Sequence, residues 1–272
     1  MNLGRWGFDV ARDLRTAALW LAGPVDRLHL RRTGRDELPP LWLRRHAGRA
    51  SDFESAARDM EAILRQVGAV GEADRVLEIG CGCGAMVPAI TRLLGPQGRY
   101  VGFDVHGPSI GWCRRHFAGD LRLRFEVAEV ASLYGAPSNQ EPVDSYRFPV
   151  ADSGADFILA KSVFTHLLDG EARHYLREIR RTLRPERLAV ITALLFDGTR
   201  RPPAFPFPRR DSPMRWRRRW RVQAGVAFER SYFESLVGDA GLTLRWLIPG
   251  YWPGTTSALR GQDILVLTVA EG

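Results

Sequence analysis

The sequence predicts an α/β protein built on an open, doubly wound parallel sheet. Three observations carry this. An apolar run, Val76-Leu77-Glu78-Ile79, stops at glycines in every second position, Gly80, Gly82 and Gly84. Such a run reads as a buried parallel strand ending in a tight turn. Further apolar runs recur at Tyr100 to Asp104, Ala155 to Ala160 and Leu188 to Phe196. Segments with helical spacing stand between them, and alternating strand and helix is the pattern of a sheet covered on both faces.

The glycine turn opens a helix, Ala85 to Leu94, with Pro88 in its first turn, where a missing N–H does no harm. Strand, glycine turn and helix together make a nucleotide-binding geometry, with the ligand at the carboxyl ends of the strands. Dinucleotide dehydrogenases use a similar turn, so the glycines alone do not select the ligand. Glu78 does. It sits at the carboxyl end of the strand, where it would repel the phosphates of NAD. It suits a ligand carrying an ammonium and a sulfonium, as S-adenosylmethionine does. The bland alternative is a carboxylate that caps its own turn.

V-L-E-I-G-C-G-C-G resembles the first motif of the class I S-adenosylmethionine-dependent methyltransferases. Asp104 ends the next strand, where a carboxylate can accept both ribose hydroxyls; its bland alternative is a turn or helix-capping aspartate. The resemblance covers about residues 70 to 270. It implies a Rossmann-like sheet of seven strands, mostly parallel, whose last strand is antiparallel and inserted beside the fifth. It implies S-adenosylmethionine as cofactor, held by Glu78, Gly80, Cys81, Gly82, Gly84, Asp104, Val105, Glu129, Val130 and Lys161. Lys161 to Leu167, K-S-V-F-T-H-L, resembles the fourth motif, and its S-V-F-T-H run a subgroup of the family. Gly250 to Gly254 and Gln262-Asp263-Ile264 resemble the same subgroup. Where the family commonly has proline and two glycines, this chain has Pro185-Glu186-Arg187.

Composition is that of a globular protein: 272 residues, 45% hydrophobic and 26% charged. No apolar run approaches the ~20 residues that span a bilayer. Cys81, Cys83 and Cys113 have poor spacing for a disulfide or a zinc site, so no metal is expected and a reduced, cytoplasmic setting is. The net charge is +8, carried almost wholly by arginine, since Lys161 is the only lysine. That imbalance can reflect base composition, and nucleic acid is not expected as a partner.

The chain divides into an N-terminal helical extension, residues 1–70, and a cofactor-binding domain, residues 71–272, with inserts near 131–150 and 197–226. Trp6 to Leu21 has a basic amphipathic pattern that suits a membrane surface or, more simply, packing on the domain. Ser51 to Val67 reads as a helix with Ser51 and Glu54 as a capping box. Helices are also expected at Pro108 to Phe117, Leu168 to Leu183 and Phe228 to Ala240, and strands at Leu121 to Glu129, Leu242 to Leu247 and Gln262 to Val269. The first insert reads as a lid or substrate wall, with Tyr134, Asn139 and Tyr146 as polar contacts. The second combines prolines, aromatics and arginines, a binding surface or a solvated loop.

Methyl transfer chiefly needs acceptor, methyl and sulfur held in line. An acceptor hydroxyl or amine must also lose a proton. His166, just after the fourth strand, is the candidate base, and packing against the cofactor is its other role. Lys161 is the second catalytic candidate. The acceptor expected is a small molecule or glycan-like compound. The rival functions are a non-catalytic RNA- or anion-binding protein on this fold, and a NAD-dependent oxidoreductase. The sequence sets no oligomeric state.

Overall fold

The structure, a computed structural model, describes residues 21–46, 53–132, 142–197, 213–216, 222–250 and 261–270. Three helices come first, α1 (Gly23–Arg32), α2 (Leu41–His46) and α3 (Phe53–Gln66). The core follows as β1 (Arg75–Ile79), α4 (Val87–Thr91), β2 (Arg99–Asp104), α5 (Gly107–His116), β3 (Leu123–Val127) and β4 (Ala155–Ala160). It continues with α6 (Asp169–Thr182), β5 (Leu183–Ala193), β6 (Leu195–Phe196), β7 (Met214–Trp216) and β8 (Val226–Glu229). The last elements are α7 (Arg230–Asp239), β9 (Leu242–Ile248) and β10 (Asp263–Val269).

Seven strands form one sheet in the order β3-β2-β1-β4-β5-β10-β9. β10 runs antiparallel to both of its neighbours, and the other pairings are parallel. This is the Rossmann-like arrangement expected, with the last strand inserted beside the fifth. Period-two alternation splits the strand residues between two cores. Leu77, Ile79, Ile158 and Ala160 pack with α6 and α7, while Val76, Phe157 and Leu159 pack with α3, α4 and α5. Met60, Ile63 and Leu64 of α3 belong to the second core, so this helix is sealed onto the sheet. The chain reverses order at β1, with β2 on one side and β4 on the other, and a ligand crevice opens at that switch.

Several boundaries differ from the sequence reading. The helix after the glycine turn is only Val87–Thr91, because residues 82–86 are spent on the turn itself. β3 is shorter than expected. β5 starts at Leu183 and passes through the Pro185–Arg187 stretch, where Glu186 takes a φ of 65°, the conformation a glycine would supply. Phe228 is in a strand rather than a helix: β8 pairs with β6 and β7 in a small second sheet, and the helix begins at Arg230. Ser51, Tyr134, Asn139, Trp6 to Trp20, Tyr251 to Gly254 and most of the arginine-rich insert lie outside the described residues.

Candidate active site

The glycine turn, the end of β2 and the start of α5 are tied together through the backbone. Gly80 and Cys81 both donate N–H to the Phe103 carbonyl, at 2.8 and 3.1 Å. Gly82 N–H donates to Asp104 Oδ2 and His106 N–H to Oδ1, each at 2.8 Å. These two bonds fix the carboxylate plane. Gly80 has a φ of 68°, and a Cβ there would lie 2.6 Å from a Val163 methyl. The turn therefore needs glycine for two reasons, backbone conformation and close approach to the β4 side. The turn is held from outside as well, by Cys83 Sγ donating to the Leu43 carbonyl of α2 at 3.6 Å.

Glu78 is buried at 2% exposure, and Tyr100 Oη donates to its Oε2 at 2.6 Å. Tyr100 reaches it by lying across Gly102, the residue paired with Glu78 in register; a Cβ on Gly102 would meet Tyr100 Oη at 2.5 Å. Burial pushes the Glu78 carboxyl up to about 8, against the Tyr100 hydrogen bond and the Lys161 charge, which pull it down. Burial likewise lowers Lys161, opposed by Glu78 and by Asp59 of α3. The pair is thus a buried acid and a buried amine, each drawn toward its neutral form in the absence of a cationic ligand.

A cavity of about 560 Å3 opens at this edge, and Glu78, Gly80, Cys81, Gly82, Asp104, Val105, Val130, Lys161 and His166 all line it. His166, in the short helix Phe164–His166 after β4, has Nδ1 2.8 Å from the Gln223 carbonyl oxygen. That contact puts the proton on Nδ1 and makes Nε2 the lone-pair nitrogen. Burial lowers the His166 pKa, with the Gln223 bond working the other way. Gln223 Nε2 donates in turn to Glu171 Oε1 at 2.8 Å, and Glu171 Oε2 accepts the Leu168 N–H at 2.7 Å, closing the start of α6. Beside them Ser162, at a φ of 62°, is held in a ring of side chains. Its N–H donates to Thr192 Oγ1, Thr192 donates to Gln262 Oε1, and Gln262 donates back to Ser162 Oγ, at 2.7, 2.6 and 2.9 Å. β4, β5 and the residue leading into β10 are thereby locked at one edge.

Two of the expected site residues lie elsewhere. Glu129 is exposed and outside the cavity. Beyond β3, Ala128 N–H bonds to the Asp104 carbonyl and Val130 N–H to that of Ala128, a tight bend that turns Val130 inward and Glu129 out. Gly84 (φ 75°) does not line the cavity; its missing side chain makes room for Phe117, Cys113 and Val87. Tyr146 packs its ring against Phe103 at a tilt of 54°, centroids 5.4 Å apart, instead of lining the cavity, and its carbonyl lies 2.7 Å from His174 Nε2. The insert it belongs to is docked on α6 through Phe148 N–H to Glu178, at 2.7 Å, and contributes Val143 to the cavity. Sequence reading missed Glu171, Tyr175, Gln223 and Ser162 as lining residues. Gln262 carried a signal, in the Gln262-Asp263-Ile264 resemblance. Among the described residues no cluster of three metal-binding side chains occurs.

Residues 76–186 match a family model described as a methyltransferase domain. Similar folds recur among solved structures. A chain of the complex between the Haloferax volcanii Trm112 methyltransferase activator and a methyltransferase has 17% identity and a TM-score of 0.57, covering 85% of this chain and 95% of that one. A SAM-dependent methyltransferase from Methanosarcina mazei has 15% identity and a TM-score of 0.53, with 76% and 97% covered. Geranyl diphosphate C-methyltransferase from Streptomyces coelicolor A3(2), solved with Mg2+, geranyl diphosphate and S-adenosyl-L-homocysteine, has 14% identity and a TM-score of 0.51, with 81% and 84% covered. The residues present fit an S-adenosyl cofactor: a glycine cradle that a Cβ would fill, an oriented carboxylate at Asp104, and a buried acid at Glu78. Residues 76–186 thus carry the match to a methyltransferase domain, on a sheet of Rossmann-like strand order whose lining residues fit S-adenosylmethionine.

Proposed function

We propose that this methyltransferase transfers a methyl group to a hydroxyl or amine of an uncharged small-molecule or glycan-like acceptor, with His166 taking the proton. The observation that carries the reading is the Nδ1 contact of His166 to the Gln223 carbonyl inside the cavity. A base must be unprotonated at the working pH and must present a lone pair to the acceptor. Burial keeps this imidazole neutral, and the Gln223 carbonyl selects the tautomer with the lone pair on Nε2.

When bound, the cofactor supplies an activated methyl on a sulfonium. The protein's own groups then bind, orient and exclude water. Asp104 would accept from the ribose hydroxyls, Glu78 and Lys161 would meet the polar end, and Gly80, Cys81, Gly82 and Val105 would form the cradle. Val130 supplies an apolar wall. Tyr175, whose hydroxyl burial holds protonated, adds a donor on the acceptor side. The charges lining the cavity weigh against an anionic acceptor. Glu78, Asp104 and Glu171 stand against one lysine, so a phosphate or carboxylate on the acceptor would meet net repulsion. The Ser162–His166 run supports the S-V-F-T-H subgroup resemblance, because each end of it is built into this rim. We place the enzyme in the cytoplasm, in keeping with three buried free cysteines.

The test is release of S-adenosylhomocysteine on a panel of neutral hydroxyl and amine compounds and their phosphorylated or carboxylated counterparts. Turnover of neutral members is expected. Turnover confined to the anionic ones would overturn the acceptor class. Calorimetric binding of NAD in place of S-adenosylmethionine would restore the oxidoreductase reading.

A further inference from the structure

α1 carries an apolar stripe that the fold does not use. Leu21, Val25 and Leu28 are 74%, 72% and 49% exposed, and they repeat at spacings of four and three, the period of one helix face. Leu30, on the opposite face, is 2% exposed and anchors the helix to the protein. The stripe therefore points away from the body of the molecule. Within α1 the exposed charged residues around it are of one sign, while the exposed acids Asp36 and Glu37 follow the helix, Glu37 near His116 of the adjoining groove. Arg27, Arg31 and Arg32 are exposed. The helix's one acid, Asp26, is spent inward, accepting the Leu41 N–H at 3.0 Å and pairing with the buried Arg44. Asp26 also ties α1 firmly to α2.

Next to the stripe lies a groove of about 590 Å3 between α1, α2 and α5, lined by Arg27, Arg115, Trp42 and Trp112. Arginines and tryptophans beside an apolar stripe are the residue types that settle at the boundary between lipid headgroups and acyl chains. The geometry points to this face as a docking surface for an anionic phospholipid bilayer, with α1 lying in the interface and the groove receiving headgroup phosphates. Charge complementarity selects this occupant. The exposed guanidiniums of α1, whose one carboxylate is turned inward, attract a negatively charged leaflet and find no such attraction at a neutral one. The inference does not depend on the acceptor reading, since none of the stripe residues lines the main cavity.

Co-sedimentation of the full chain with vesicles of phosphatidylglycerol and phosphatidylcholine, and of phosphatidylcholine alone, tests it. Binding is expected to the anionic vesicles only and to weaken as salt rises. Val25→Glu combined with Leu28→Glu should lower the partition coefficient by about tenfold or more, and Arg27→Glu combined with Arg31→Glu by a similar factor. Both variants should keep the parent's circular dichroism and its affinity for S-adenosylmethionine. Equal binding to neutral vesicles, or stripe variants that bind like the parent, would overturn the proposal. So would a parent that ignores vesicles but is a dimer which the stripe variants dissociate, because a second copy would then be the occupant.

Discussion

Asp104 and His166 line the same cavity but are held in different ways. On the β1–β2 side, Asp104 takes its bonds from Gly82, 22 residues away, and His106, two residues away, and Glu78 takes its bond from Tyr100, also 22 away. All of this lies within one strand–helix–strand unit. On the β4–β5 side, His166 depends on Gln223, 57 residues on, Glu171 on the same residue, 52 on, and Ser162 on Gln262, 100 on. The first half is a contiguous piece of chain folded on itself. The second is assembled from an insert and the final strand. The first half is local in sequence and the second long-range, which on the proposed roles separates cofactor holding from acceptor handling. Disturbing one half should leave the other measurable.

The largest expected effect breaks the acceptor half alone. His166→Ala should lower turnover by ~100-fold to 10,000-fold with cofactor affinity unchanged. The parent's rate should fall below the imidazole's lowered pKa, as the base becomes protonated, and the variant should lack that acid limb. A variant that keeps the limb and binds cofactor weakly would make His166 a packing residue.

Asp104→Ala should do the converse. Losing a charge-assisted hydrogen bond costs ~1.5–3 kcal/mol, about tenfold to a hundredfold or more in cofactor affinity. Equilibrium titration with S-adenosylhomocysteine measures this without any acceptor. Unchanged affinity would move the ribose elsewhere.

Glu78 gives a pH dependence to the same half. Its folded pKa of about 8 lies above the ordinary 4.5, so between these values the empty folded protein holds a proton that the unfolded chain has released. The stability of the empty protein should therefore fall as pH rises through that window. Pairing with a cationic cofactor needs the ionised carboxylate, so binding should release a proton below about pH 8 and tighten by at most about tenfold per pH unit. Calorimetry in buffers of different ionisation enthalpy reads the proton directly, and Glu78→Gln should abolish its release. A parent that releases none would contradict this account.

Gln223→Ala gives the smallest effect and the finest test. The backbone carbonyl that orients His166 remains, but its anchor on Glu171 is lost, one hydrogen bond of ~0.5–1.5 kcal/mol. Turnover should fall severalfold with the acid limb of the pH profile shifted, while cofactor affinity stays. Rescue of the rate by Gln223→Glu is not expected, since Glu171 would face a like charge.

The same contrast explains what the sequence could reveal. Glycines at alternate positions and an acid at each strand end encode backbone geometry in adjacent letters, so the β1–β2 half was readable, while the sheet order came from the family resemblance. Glu171 and Gln223 carry no such pattern: one looks like a helix-start acid, the other like part of an aperiodic insert, and only folding pairs them. Tyr175 reads as a helix-core aromatic, and that is how its ring is used, against Phe148 at 5.1 Å. β7 and β8 were missed because runs of three or four residues have no measurable period, and β6 was read as the end of the fifth strand, Leu188 to Phe196. Glu129 was expected from its position in the family resemblance, and the bend beyond Val127 turns it outward while Val130 faces the cavity.

The position of β10 has a consequence for how the molecule is made. Gln262, which completes the ring around the strained Ser162, and β10, which fills the gap between β5 and β9, are synthesised after every other element of the sheet. A growing chain on the ribosome can pair β1 with β2 and close the glycine turn long before then. It cannot seat Ser162 or unite β9 with the rest of the sheet until residues 262–269 emerge. A chain lacking them would leave β5 with an open edge and would take Leu265 and Leu267 from one core and Ile264 and Val266 from the other.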